Sequence, residues 1–225
     1  MYLNNIAMVA ADTSRTLYYF EELIKNELLP SYVLLLLNTN ANLLPGQKAN
    51  DTDIQLLKLL EDANIQYEIS TNNDINSSEV VTKVKLREEM VFIFSGFGGV
   101  LLRDNILATG KKFLHIHGGY LPDYKGSTTN YYSLINENTI GASSIFLTKD
   151  IDCGPVLLRR KFPPPVQRVD IDHIYDSEAR AKVLVETIQC YVANGQFNFE
   201  LGRNEGGETF YIIHPVLKHL AILGE

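Results

Sequence analysis

The chain is 225 residues long, 45% apolar and 21% charged, which suits one α/β domain with a short appendage, or at most two small domains, and excludes intrinsic disorder. Its net charge is −7 and its sequence pI is near 5.3, so the basic face that nucleic-acid binding requires is not expected. The densest basic runs, Arg159-Arg160-Lys161 and Lys111-Lys112, read as strand ends or loops in solvent.

In chain order, residues 6–10 are a short apolar run, read as a buried strand. Asp12-Thr13-Ser14 then offers N-cap oxygens, and Leu17, Phe20, Leu23 and Ile24 recur at helical spacing to about Glu27. Residues 32–37 are a second continuous apolar strand, of the kind covered on both faces. Residues 38–50 are polar, carry Pro45-Gly46 and read as a loop. Asp51-Thr52-Asp53 caps a helix whose apolar face is Ile54, Leu57, Leu60 and Ala63. Strands follow at 65–69, 91–94 and 113–116, with a helix through Val80, Val81 and Val84 after the first of them. Strands alternating with helices predict parallel βαβ units in a doubly wound, mostly parallel α/β sheet. Ligands of such sheets bind beyond the carboxyl ends of the strands. The two most unusual segments, beginning at Ser95-Gly96 and at Leu114-His115, follow the fourth and fifth strands.

Beyond residue 140 the pattern changes. Residues 142–147 and 155–161 are strand-like, and Pro163-Pro164-Pro165 is a rigid extended break. Residues 172–193 read as an amphipathic helix with Ile174, Ala181, Leu184, Val185 and Ile188 apolar. A short strand at 210–213 and a helix from about Pro215 close the chain. Cys153 and Cys190 stand 37 positions apart outside any C-x-x-C or zinc-ligand spacing, so neither a disulfide framework nor a metal knot is expected. The amino end lacks the basic and apolar regions of a signal peptide. The longest aliphatic run, 33–37, is too short to span a bilayer. A reduced, soluble, cytoplasmic protein with no membrane partner is the expectation.

The chemistry is concentrated in Leu114-His115-Ile116-His117-Gly118-Gly119-Tyr120-Leu121-Pro122-Asp123-Tyr124-Lys125-Gly126. Side chains alternate along a strand, so His115 and His117 project to one side at its end. A second segment is Asp150-Ile151-Asp152-Cys153-Gly154-Pro155. A carboxylate placed so is commonly a turn former that accepts backbone hydrogen bonds. Near a strand-end histidine it can instead hold the imidazole in one tautomer and stabilise it when protonated. His115, His117 and Asp152 as a three-ligand metal site is a third reading, with no second ligand cluster to support it.

These motifs resemble the folate-dependent formyltransferase family, which includes glycinamide ribonucleotide transformylase, methionyl-tRNA formyltransferase and sugar-nucleotide N-formyltransferases. The family pattern is Asn-Ile-His, a short loop, Leu-Leu-Pro, a tyrosine or arginine, Gly, and an Asp-x-Gly about three dozen residues later. Here stand His115-Ile116-His117, Tyr120-Leu121-Pro122, Tyr124-Lys125-Gly126 and Asp152-Cys153-Gly154, with His117 and Asp152 35 positions apart. The family asparagine is replaced by His115. The resemblance implies a Rossmann-like catalytic domain over 1–160 and a carboxyl-terminal helix and strand extension, 161–225, packed on it. It implies 10-formyltetrahydrofolate as co-substrate without a metal, and His115, His117 and Asp152 as catalytic residues. It places the pterin against Phe97, Gly98, Gly99 and Leu101 and against Lys149, Asp150 and Ile151.

Among the family's acceptors, a transfer RNA comes with a larger basic carboxyl-terminal domain, and the purine enzyme with a glycine-rich phosphate loop after its first strand. Ala10-Ala11-Asp12-Thr13-Ser14-Arg15 is no such loop. The remaining expectation is the amine of an amino sugar for surface glycans, nucleotide-linked or a pseudaminic-acid-type precursor. Arg15, Lys125, Arg159 and Arg180 are candidates to hold an anionic acceptor, and Tyr120, Tyr124, Tyr131 and Tyr132 to line its cleft. The alternatives are a 10-formyltetrahydrofolate hydrolase, a ribonucleotide formyltransferase and a non-catalytic folate-binding module. A homodimer is left open.

Overall fold

A computed structural model describes residues 1–37, 51–168, 170–199 and 204–224, so the loop expected at 38–50 lies outside the described residues. Contacts divide the chain into two units, Met1–Leu114 and His115–Glu225.

The first unit runs β1 (Tyr2–Leu3), β2 (Ile6–Ala11), α1 (Ser14–Lys25), β3 (Leu29–Pro30), β4 (Val33–Leu36), α2 (Asp51–Asp62), β5 (Tyr67–Ile69), α3 (Ser78–Leu86), β6 (Val91–Ser95), α4 (Asp104–Leu107) and the start of β7 (Lys112–His117). Every residue of β2, β4 and β6 is buried, which is why these strands read as unbroken apolar runs. The strand order is β5-β4-β2-β6-β7, all parallel. From β2 the chain winds outward through β4 and β5, then restarts on the other side with β6. Right-handed crossovers therefore put helices on both faces, and the reversal lies between the carboxyl ends of β2 and β6.

Within this unit Thr13 caps α1, its side chain accepting from the Thr16 amide at 3.2 Å. The face α1 buries is Thr16, Tyr19, Phe20 and Leu23 rather than one centred on Leu17. α2 is turned one residue from the expected face. Asp53, Leu56 and Leu60 are buried while Ile54 is 54% exposed. Leucines occupy both phases of that helix, so periodicity by itself does not choose between them.

The second unit continues with β8 (Tyr124–Gly126), α5 (Thr129–Glu137), β9 (Ile140–Phe146), β10 (Val156–Phe162), a π-helical turn (Ile171–Tyr175), α6 (Asp176–Asn194), β11 (Glu208–Phe210) and α7 (Pro215–Leu223). Strand order is β7-β9-β10, with β10 antiparallel to β9 and bulged between Val156 and Leu158. α6 lies on β9 and β10, α7 lies on α5, and β11 pairs in parallel with β8. The helix expected at 172–193 thus opens with a π-helical turn, capped by the Asp170 side chain on the His173 amide. The last strand ends at Phe210, leaving Tyr211 and Ile212 exposed. The fold is α/β, a mostly parallel sheet with flanking helices.

Candidate active site

In the first unit the topological reversal is occupied by polar side chains. Thr16 and Ser95 hydroxyls meet at 2.8 Å, and Arg15 reaches Ser95 Oγ at 3.4 Å and the Gly96 carbonyl. Arg15 thereby anchors the segment that follows β6. Gly98, Gly99, Val100 and Leu101 are exposed there, and Phe97 is half-buried. A Cβ on Gly98 would meet nothing, whereas Gly99 sits at φ +77°, a conformation that favours glycine. Asn76 ties the far end down, donating to Leu101 O at 2.9 Å and accepting from the Arg103 amide at 2.7 Å.

In the second unit β7 delivers His117 into the interior, where it is 4% exposed. Its Nε2 donates to Tyr124 O at 2.7 Å, and its Nδ1 lies 3.3 Å from Asp152 Oδ1. The other Asp152 oxygen accepts from the Gly126 amide at 2.8 Å. The Asp152 backbone holds φ +52°, and its carbonyl accepts from Asn204 Nδ2 at 2.8 Å; the same amide reaches Gly154 O at 2.6 Å. Asp152 therefore satisfies both of its sequence readings. It is the turn residue before Gly154-Pro155, and it is also the carboxylate beside the histidine.

Both neighbours of the imidazole are acceptors, so only the imidazolium satisfies both at once. Burial works against that charge and lowers the His117 pKa below its ordinary value. Asp152 opposes the shift, Arg180 adds to it, and the Tyr124 carbonyl and Asp176 oppose it. The lowering prevails because the ring is buried and the Asp152 contact, at 3.3 Å, is the longer of the two. Acceptors on both sides favour the protonated ring and burial favours the neutral one, and these opposed demands set its balance between the two forms.

His115 is half-buried and shares the His117 side of β7 by alternation. Arg180 makes an ion pair with Asp176 at 2.8 Å and donates to Ile116 O at 3.0 Å. Tyr124 enters the site through its carbonyl. Its ring is buried and stacked 5.4 Å from Phe210, and its hydroxyl donates to Glu137. Tyr131 is buried with its hydroxyl on Asp172, and the Tyr132 hydroxyl donates to Tyr211 O. Tyr120 is half-buried beneath the cations of Arg159 and Lys161. Lys125 is 7% exposed, its Nζ on Asn204 O at 3.1 Å. Lys149, Asp150 and Ile151 are exposed ahead of Asp152. The basic run at 159–161 is not bare: Arg159 donates to Leu121 O, Arg160 pairs with Glu186, and Lys161 with Glu137.

Gly126, Asn204, Asn130 and Asp176 support this arrangement and carry no sequence signal strong enough to single them out, except that Gly126 belongs to the motif quoted above. Gly126 is required by φ +97° and by the Phe210 carbonyl, which a Cβ would strike. Among the described residues no group of three or more His, Cys, Asp or Glu is arranged to hold a metal ion. Among them, too, no helix is long and apolar enough to cross a membrane.

Comparison with known proteins gives three kinds of likeness. The model of the formyl transferase family matches residues 4–185. A methionyl-tRNA formyltransferase of Levilactobacillus brevis is 28% identical over 88 residues, 39% of this chain and 28% of that protein. The chain thus aligns with little more than a quarter of that relative's length. Among solved structures, a sugar N-formyltransferase from Shewanella sp. shares the fold at TM-score 0.62 and 13% identity, over 97% of this chain and 86% of that one. An N-formyltransferase from Helicobacter canadensis, solved with folinic acid and dTDP-3-aminofucose, matches at TM-score 0.61 and 18% identity, over 93% of this chain and 71% of that one.

Proposed function

The chain belongs to the formyl transferase family, and on that premise we propose that it transfers the formyl group of 10-formyltetrahydrofolate to the amine of an amino sugar. The observation that carries the proposal is the buried His117–Asp152 pair at the end of β7, braced by the Gly126 amide and the Tyr124 carbonyl. Formyl transfer needs a group that takes a proton from the attacking amine, and an imidazole with a lowered pKa is in its base form at neutral pH. Asp152 offsets the charge the ring acquires. As the amine nitrogen bonds to the formyl carbon, its proton passes to His117; as the carbon–N10 bond breaks, that proton is returned to N10. His115, on the same side of the strand, donates to the oxygen that gains negative charge.

The folate supplies the activated formyl carbon. Phe97, Gly98, Gly99 and Leu101 in the first unit suit a flat ring, because Gly98 offers its backbone with open space where a side chain would stand. Val100 and Leu101 there are exposed and apolar. Within the second unit, the exposed turn residues Lys149, Asp150 and Ile151 ahead of Asp152 are proposed as folate contacts. For the acceptor, Tyr120 and Lys125 are the proposed contacts. The amino-sugar assignment is supported by the shared fold of the sugar N-formyltransferases, and a pseudaminic-acid-type precursor and a nucleotide-linked 4-amino sugar are the two forms proposed for it.

The test is incubation of the full chain with 10-formyltetrahydrofolate and a panel of free and nucleotide-linked amino sugars, read by product mass. An acceptor that gains one formyl group supports the reading. Folate turnover that ignores every acceptor would replace it with hydrolysis, and folate binding without turnover would reduce the chain to a binding module.

A further inference from the structure

The polar groups behind His117 form a chain that the proposed chemistry does not use directly. Asp176 and Arg180 stand four residues apart at the start of α6, where the i, i+4 spacing lets them pair and the helix amino end favours the carboxylate. Asn130 of α5, 4% exposed, donates its side-chain Nδ2–H to Asp176 Oδ1 at 2.7 Å, and its side-chain Oδ1 accepts from the Gly141 amide at 2.9 Å. Arg180 Nη1 donates to Ile116 O at 3.0 Å, the peptide oxygen directly before His117. Gly118 leaves room for this, since a Cβ there would strike the Arg180 guanidinium and the Asp176 carboxylate.

We propose that Arg180 is a positioning residue for His117: held by Asp176 and Asn130, it fixes the peptide that aims the imidazole and places a fixed positive charge behind it. This rests on the reading of His117 as the proton carrier. Charged and titratable groups face that ring from each element around it. Asp152 stands in the turn after β9, Asp176 and Arg180 on α6, Lys125 on β8 beside the Tyr124 carbonyl, and His115 on β7 itself. Arg180 and Asp176 push the proton affinity of His117 in opposite directions, Arg180 downward and Asp176 upward.

The experiment is a pH titration of the imidazole resonances of the full chain by NMR, with the His117 signal identified by its loss in His117→Asn. Arg180→Gln removes the charge and is expected to raise the His117 midpoint. Arg180→Lys keeps the charge and is expected to leave it near the parent value. Asp176→Asn removes the opposing charge and is expected to lower it. If Arg180→Gln does not fold, Asp176→Asn decides. A midpoint unmoved in the folded Gln and Asn variants, or moved the same way in both, overturns the proposal. The titration needs neither folate nor acceptor, so a wrong acceptor and a wrong role for Arg180 give distinguishable results. Where formyl transfer is measured, the acid limb of its pH profile moves with the midpoint.

Discussion

The Nε2–H of His117 donates to the main-chain oxygen of Tyr124 at 2.7 Å. A carbonyl cannot titrate, so one ring nitrogen is committed to donating and the other, facing Asp152, is where the proton is gained and lost. The working pH range follows. Burial lowers the His117 pKa from 6.5, so the base form persists to a pH below that value. Turnover is expected to be flat around neutrality and to fall on an acid limb below 6.5. In Asp152→Asn the carboxylate that opposes the lowering is gone, so the limb moves to still lower pH while the plateau drops. A limb that moves upward in that variant contradicts the assignment.

His117 and Asp152 are expected to act as one unit. His117→Ala and Asp152→Ala each lower turnover by roughly 10²-fold or more, the usual scale for acid–base groups. The double variant costs little beyond the worse single change. Initial rates under saturating folate decide this, and fully additive losses would separate the two residues.

His115 replaces an amide with an imidazole. His115→Asn is expected to keep most of the activity, because the amide can donate in place of the imidazole. His115→Ala raises the barrier by roughly 2 to 4 kcal/mol, the cost of one lost oxyanion donor. Equal rates for the Asn and Ala variants would leave His115 as a packing residue.

Gly98 separates ligand binding from folding. A side chain there meets nothing in the protein, so Gly98→Val is expected to fold normally and to bind 5-formyltetrahydrofolate more weakly by calorimetry. Gly99→Val is strained by φ +77° and is the weaker test. Unchanged affinity in a folded Gly98→Val protein removes the segment from the site.

Acid stability of the first unit should depend on Glu89. Burial pushes its carboxyl up, but hydrogen bonds from Arg87 and Ser31 outweigh this and hold it at about 2, below the ordinary 4.5. A folded-state pKa below the unfolded one contributes stability that is present above 4.5 and is lost as pH falls toward about 2. Glu89→Ala should therefore cost about 3 kcal/mol near neutrality, the lower end for breaking a buried pair. The deficit should shrink in denaturant melts as pH falls through that window. A constant deficit would point to packing instead.

The parallel strands and the meeting of His117 with Asp152 were legible in the amino-acid order. Unbroken apolar runs mark strands buried on both faces, and His-x-His before two glycines followed by Asp-x-Gly is a compact local pattern. What the order left open was which faces and atoms meet. Leu56 and Leu57 serve helical phases that differ by one residue, and only packing buried the first. Tyr124 was expected to line the acceptor cleft; its carbonyl meets His117, while Phe210 stacks on its ring and Glu137 accepts from its hydroxyl. Arg180, expected at the acceptor, lies on Ile116 and Asp176, and Asn204 reaches the Asp152 turn from 52 residues away. A periodic pattern records how each residue meets water. It carries no record of which distant donor completes a buried acceptor, and that pairing was decided only when α6, β8 and Asn204 came together around the end of β7 and the Asp152 turn.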